Sequence, residues 1–145
     1  IKHMKNTKGS MQRIRKEHFK KNIVTSKKTT LHKYEIIYGN TKNKGVENAW
    51  IDTKMVDYEK YKKIISKNSY INPIYMNNIN IADSMCYILA TEEEYKKFCD
   101  FINGKLFNFL VKILKTGKSH YEILSMIHKD IEELSETEIN IINQF

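Results

Sequence analysis

A chain of 145 residues, 41% hydrophobic and 29% charged, has the length and composition of one globular domain that buries a core. No run approaches the roughly 18 consecutive apolar residues of a membrane span. The two cysteines, Cys86 and Cys99, have no metal-type spacing and predict a reducing, cytoplasmic setting. The formal net charge of +8 is uneven: residues 1–75 carry 18 Lys/Arg against 6 Asp/Glu, residues 76–145 carry 7 against 11, so the N-terminal half is the one that attracts a polyanion.

Residues 1–18 are polar and basic, and they predict a flexible or partly helical segment with a short helix over 11–19. Residues 23–26, Ile-Val-Thr-Ser, form a short β-type run. Tyr34, Ile36 and Tyr38 alternate at period two, which predicts a strand over 31–38. Gly39, Asn40 and the residues up to Gly45 predict a turn, and 46–51 the returning strand of a hairpin with a basic tip. Asp57 is an N-cap type and predicts a helical turn, with a strand as the alternative reading of 61–66. Residues 67–81, rich in asparagine and holding the single proline, Pro73, predict a loop. Residues 85–90 predict a buried strand. Thr91 and Glu94 have capping-box spacing. Behind them Tyr95, Phe98, Cys99, Ile102, Leu106, Leu110, Ile113 and Leu114 mark an apolar stripe on a long helix that Gly104 weakens or kinks and Gly117 ends. Ser135 and Glu138 repeat the cap spacing ahead of a terminal helix. The expected class is α+β, with short, mostly antiparallel strands packed on a long C-terminal helix.

Chemistry-bearing patterns are sparse. A base clamp of the Asn-Pro-Pro-Tyr type needs two prolines, and Asn72-Pro73-Ile74-Tyr75 has one. No glycine-rich cofactor loop follows a strand. The five histidines pair at metal-ligand spacing neither with one another nor with a cysteine, so no metal site is expected. Asp52-Thr53-Lys54, with Glu35 upstream, has the acid-x-Lys form of Mg²⁺-dependent nucleases, in which carboxylates hold the metal and the lysine sits near the attacking water. A solvated strand end explains the same residues. The basic, amide-rich middle is the main binding candidate. Lys27, Lys28 and Lys33 flank the first strand, Lys42 and Lys44 sit on the hairpin tip, and Lys62, Lys63 and Lys67 lead into the loop holding Asn68, Tyr70, Asn77 and Asn78. Lysines neutralise phosphates without sequence preference, and asparagine bonds bidentately to adenine.

Several segments resemble, in order, the C-terminal specificity region of type II restriction–modification adenine methyltransferases. They are residues 19–26, 34–39, Ala49-Trp50-Ile51-Asp52, 58–66 (with Lys63 where the family's Y-K-V-x-I pattern has valine), 84–89, 98–114 and Ser135-Glu136-Thr137-Glu138-Ile139. The resemblance covers residues 19–145 and implies a single target recognition domain that binds double-stranded DNA. On that reading the domain does not catalyse by itself. A separate catalytic domain or subunit would hold S-adenosylmethionine and methylate the base. The family's glycine-rich loop is replaced here by residues 67–81, which contain no glycine, so base-reading residues are not carried over. Two other expectations stand beside this one: the small nuclease using Glu35, Asp52 and Lys54, and a protein-interaction module whose acidic C-terminal half docks a partner.

Overall fold

The computed structural model describes residues 13–68 and 70–114. Over them the chain is α+β, with two three-stranded, mostly antiparallel sheets and three helices. After α1 (Lys16–Lys20), β1 (Tyr34–Thr41) and β2 (Gly45–Ile51) form a hairpin, and the two-residue β5 (Asn80–Ile81) pairs parallel to β1. The second sheet sets β3 (Lys62–Ser66) between β4 (Ile74–Met76) and β6 (Met85–Leu89), both antiparallel to it. Then come α2 (Glu92–Asn103) and α3 (Lys105–Leu114).

Strand alternation turns these elements into layers. Ile36, Ala49 and Ile51 face Ile14, Val24 and Phe19 on one side of the first sheet. Ile37 and Ile81 face the other way and pack with Ile64, Met85 and Tyr87 of the second sheet. Ile65 and Cys86, one residue out of phase, meet Phe98, Ile102, Phe107 and Val111 of the helices. Strand β3 is therefore buried on both faces and along its whole length. Each fully buried aliphatic or aromatic side chain there contributes roughly 1.5–3 kcal/mol of transfer free energy.

Several expectations are corrected. The first strand begins and ends three residues later than period two predicted. Gly39 and Asn40 lie within it because Asn40 is buried and its side-chain amide donates to the Asn72 carbonyl at 2.9 Å. The turn is confined to residues 42–44 and closes on Gly45, whose φ of +67° is open to glycine at no steric cost. Asp57 caps no helix. Its φ is +65° in a tight turn, its carboxylate accepts from the Tyr87 hydroxyl at 3.1 Å, and it pairs with Lys60 at 3.4 Å. The predicted loop over 67–81 contains β4 and β5. Asn78, at φ +52°, lets the chain cross from one sheet to the other. Buried Asn80 then anchors the crossing by donating to the Thr53 carbonyl (3.0 Å) and accepting from the Met55 amide (2.7 Å).

The Thr91 capping box forms as predicted: the Thr91 hydroxyl accepts from the Glu94 amide at 3.2 Å and Glu94 accepts from the Thr91 amide at 3.1 Å. Gly104 does more than kink the helix. Its backbone is extended (φ −85°, ψ 168°) and separates α2 from α3. An extended residue does not carry the helical rotation forward, so the apolar stripe restarts out of phase. Phe98 and Ile102 are buried before the break and Phe107 and Val111 after it, while Leu106 and Leu110 are half-buried and Ile113 is exposed. The helix expected over 11–19 is observed as Lys16–Lys20. Residues 1–12, Gly117 and the predicted terminal helix with Ser135 and Glu138 lie outside the described residues. No helix among the described residues is long and apolar enough to cross a membrane.

Candidate nucleic-acid interface

The structure distributes the candidate binding residues between the two ends of β1. At the hairpin end, Lys42 and Lys44 are exposed on the turn. The bond from Asn40 to Asn72 brings residues 70–73 to the same end, and a chain of two bonds, in which the Lys67 amide donates to the Ser84 carbonyl and the Ser84 hydroxyl to that of Tyr38, brings Lys67 and Asn68 there. Lys67, Asn68 and Tyr70 thus join Lys42 and Lys44. Two of them serve the loop itself. The Asn68 side-chain oxygen accepts from the Ser66 hydroxyl (2.9 Å) and the Tyr70 amide (2.8 Å), and Lys67 pairs with Asp83 at 3.4 Å.

The other end holds Lys27, Lys28, Lys33, Asn77 and Asn78. Thr25 bridges to Trp50 and its hydroxyl donates to the Lys27 carbonyl at 2.7 Å, which lays residues 25–28 along the outer edge of β2. The Lys28 ammonium lies 5.7 Å from the centre of the Trp50 ring, and that of Lys33 lies 5.6 Å from the Tyr34 ring. The Ile79 amide donates to the Tyr58 carbonyl at 3.1 Å, which places the Asn77–Asn78 turn here. Eight residues of strand at about 3.3 Å each separate the ends by about 25 Å.

The lysines differ in how they are neutralised. Among the described residues Lys27, Lys28, Lys33, Lys42 and Lys44 make no ion pair. Lys62 and Lys63, read from the sequence as part of the basic surface, are buried. The Lys62 ammonium donates to the carbonyls of Tyr58 (3.1 Å) and Lys60 (2.8 Å), and that of Lys63 lies 4.0 Å from the centre of the Phe98 ring. Burial lowers the Lys62 pKa to about 8, against a smaller opposing effect of Asp57.

Two of the nuclease residues are bonded to other side chains. Glu35 accepts from the Asn48 side chain at 2.5 Å, Lys54 bonds Glu59 at 2.6 Å, and no hydrogen bond or ion pair joins Glu35, Asp52 and Lys54 among the described residues. Their mutual bond raises the Lys54 pKa and lowers that of Glu59, keeping both ionised. A cavity of about 250 Å³ beside them is lined by Lys54, Met55, Asp57, Tyr58, Glu59 and Lys60. It is below the roughly 300–1,000 Å³ of small-ligand clefts.

Two aromatic groupings escaped the sequence reading. Tyr34 and Tyr58 meet edge to face at 5.6 Å, and the Lys54 ammonium lies 5.6 and 5.8 Å from their ring centres. Tyr61, Tyr75 and Tyr95 form a stack. Their separation along the chain has no period, and the pairing of β3 with β4 and the packing of α2 bring them together.

No family model, curated protein or solved structure matches the chain.

Proposed function

We propose that this chain is a DNA-binding target recognition module of a restriction–modification adenine methyltransferase, working beside a separate catalytic domain or subunit that holds S-adenosylmethionine. The observation that supports it is the set of exposed lysines that have no carboxylate partner among the described residues, at both ends of the hairpin: Lys42 and Lys44 at the tip, Lys27, Lys28 and Lys33 at the base. Glu92 and Glu93 on α2 pair with Lys96 and Lys97, and Glu35 and Glu47 of the hairpin strands form no ion pair among the described residues. An unpaired lysine neutralises a phosphate without first breaking an ion pair. The two ends, about 25 Å apart, fall within the roughly 34 Å of one turn of B-DNA. Asn78, exposed on its turn, is the amide best placed to approach a base edge.

Titration of duplex DNA at several salt concentrations tests this. Each phosphate contact contributes about −0.9 to the log–log salt slope. Replacing Lys33, Lys42 and Lys44 by Ala should weaken binding to every sequence and flatten the slope by up to about 3. An unchanged slope removes this surface as the DNA face. The chain alone should transfer no labelled methyl group from S-adenosylmethionine to DNA, and robust incorporation would contradict the non-catalytic role.

A further inference from the structure

Three tyrosines from three elements stack face to face. Tyr61, just before β3, lies 5.2 Å from Tyr75 of β4 at an interplanar angle of 24°. Tyr75 lies 5.1 Å from Tyr95 of α2 at 18°. The two inner rings are tethered at their far ends: the Tyr75 hydroxyl donates to the Ala90 carbonyl and the Tyr95 hydroxyl to that of Pro73, both at 2.9 Å. The Ala90 amide donates in turn to the Tyr61 carbonyl at 3.4 Å, which ties the backbone of the outer rung to the same frame. Tyr61 is 53% exposed, and among the described residues Tyr75 is the one ring stacked on it. The stack therefore ends on an aromatic face held in place and open to solvent.

The surroundings carry charges of both signs, and burial, followed by the carboxylates Glu92 and Glu94, raises the Tyr75 hydroxyl pKa. Glu92 pairs with Lys96 (3.6 Å), Glu93 with Lys97 (3.9 Å) and Lys60 with Asp57 (3.4 Å), and Glu94 closes the cap of α2. Asn77 is half-buried and follows Met76, the strand partner of Lys62, which places its backbone opposite that of Tyr61 at the end of the sheet. An open ring with an amide residue on the neighbouring strand end suits a flat ligand with a hydrogen-bonding edge. A nucleobase has that form, and a base locked inside a duplex does not present its face.

We propose that Tyr61 is a stacking platform for an unpaired nucleobase, with Asn77 placed to bond the edge of that base. This rests on the DNA-binding reading above and adds to it a base lifted out of the duplex or carried on a single strand.

The test compares three probes on the same chain: a short single-stranded oligonucleotide, one of equal length built from abasic residues, and a duplex. Tyr61→Ala should weaken binding of the single strand by about 5- to 100-fold. The salt slope should stay unchanged, because stacking releases no counterion. The abasic strand should bind the parent as weakly as the ordinary strand binds Tyr61→Ala, and lose nothing further in that variant. Tyr61→Trp should keep the affinity and show its indole fluorescence quenched by the strand, a readout that requires a folded platform. If Tyr61→Ala binds the single strand as the parent does while the lysine variant is weakened, the platform is refuted and the lysine surface stands. If no probe binds the parent, both readings fall. If an arginine-rich peptide binds the parent but not Tyr61→Ala, and the strands do not bind, the platform serves a cationic protein partner and the nucleobase is overturned.

Discussion

Lys42 and Lys44 on the hairpin tip and Lys62 and Lys63 on β3 look alike in the sequence, as pairs in a lysine-rich half beside a short strand. Their environments are opposite. The tip lysines project from a turn with no ion pair among the described residues, whereas Lys62 is 0% and Lys63 7% exposed. β3 has a strand on each edge and a packed layer on each face, so its side chains find partners inside the molecule: carbonyl oxygens for Lys62 and an aromatic face for Lys63. Counting lysines along a chain therefore overstates the surface a polyanion meets. The sequence measures charge, and the sheet order decides which charges reach solvent.

The largest effect expected to separate the two regions is on stability. Phe98 is fully buried beneath Lys63, so Phe98→Ala should cost about 3–5 kcal/mol in denaturant unfolding, while Lys42→Ala should stay within about 0.5 kcal/mol. A cost below about 1 kcal/mol at Phe98 would mean that α2 does not cover β3.

The second effect is on pH dependence. Burial lowers the folded-state pKa of Lys62 to about 8, below the roughly 10.4 of an unfolded chain. Between these values the unfolded chain binds more protons, so stability rises with pH across the window. Below about pH 8 both states are charged and that gain is absent. The gain is at most about 3 kcal/mol, and hydrogen bonds from the ammonium to two carbonyls reduce it. Urea unfolding at pH 7.5 and pH 10 should show the parent gaining on Lys62→Met, with Lys42→Met gaining nothing relative to the parent. Parallel behaviour of the parent and Lys62→Met would show a solvated Lys62 amine.

A smaller contrast lies in the helices. Phe107 is buried and Leu110 half-buried, so Leu110→Ala should cost about 1 kcal/mol and clearly less than Phe107→Ala. Equal costs would restore one continuous helix through Gly104. The least perturbing change should be the double variant Lys42→Ala, Lys44→Ala. Its melting should match the parent, while its DNA salt slope flattens by up to about 2. A drop in melting temperature without a change in slope would make the tip structural.

Features carried by local chemistry were legible. The capping box of Thr91 and Glu94, the basic hairpin tip, the strand at Met85–Leu89 and a weak point at Gly104 each depend on residues close together in the chain. The differences have two causes. Asn40 and Asn80 favour turn and loop by residue type, because asparagine suits irregular backbone when its amide faces water. In the folded chain Asn40 and Asn80 bond carbonyls distant in sequence, at Asn72 and Thr53, and so hold strands in place. The stripe on the last helix was drawn through Leu106 and Leu110, because a periodic pattern cannot show that an extended glycine resets the rotation.

By itself the sequence determined the α+β class, the existence of the hairpin, the capped helix and the uneven charge, since alternation, turn residues and caps act over a few residues. The tertiary structure alone decided that β5 would cross to the first sheet and that Lys62 and Lys63 would be buried. It also assembled Tyr61, Tyr75 and Tyr95 into a stack and set the lysines and asparagines of the candidate interface at two ends of one strand. These depend on which strands become neighbours. That choice reflects the burial of apolar faces summed over the whole chain, a quantity no local pattern contains.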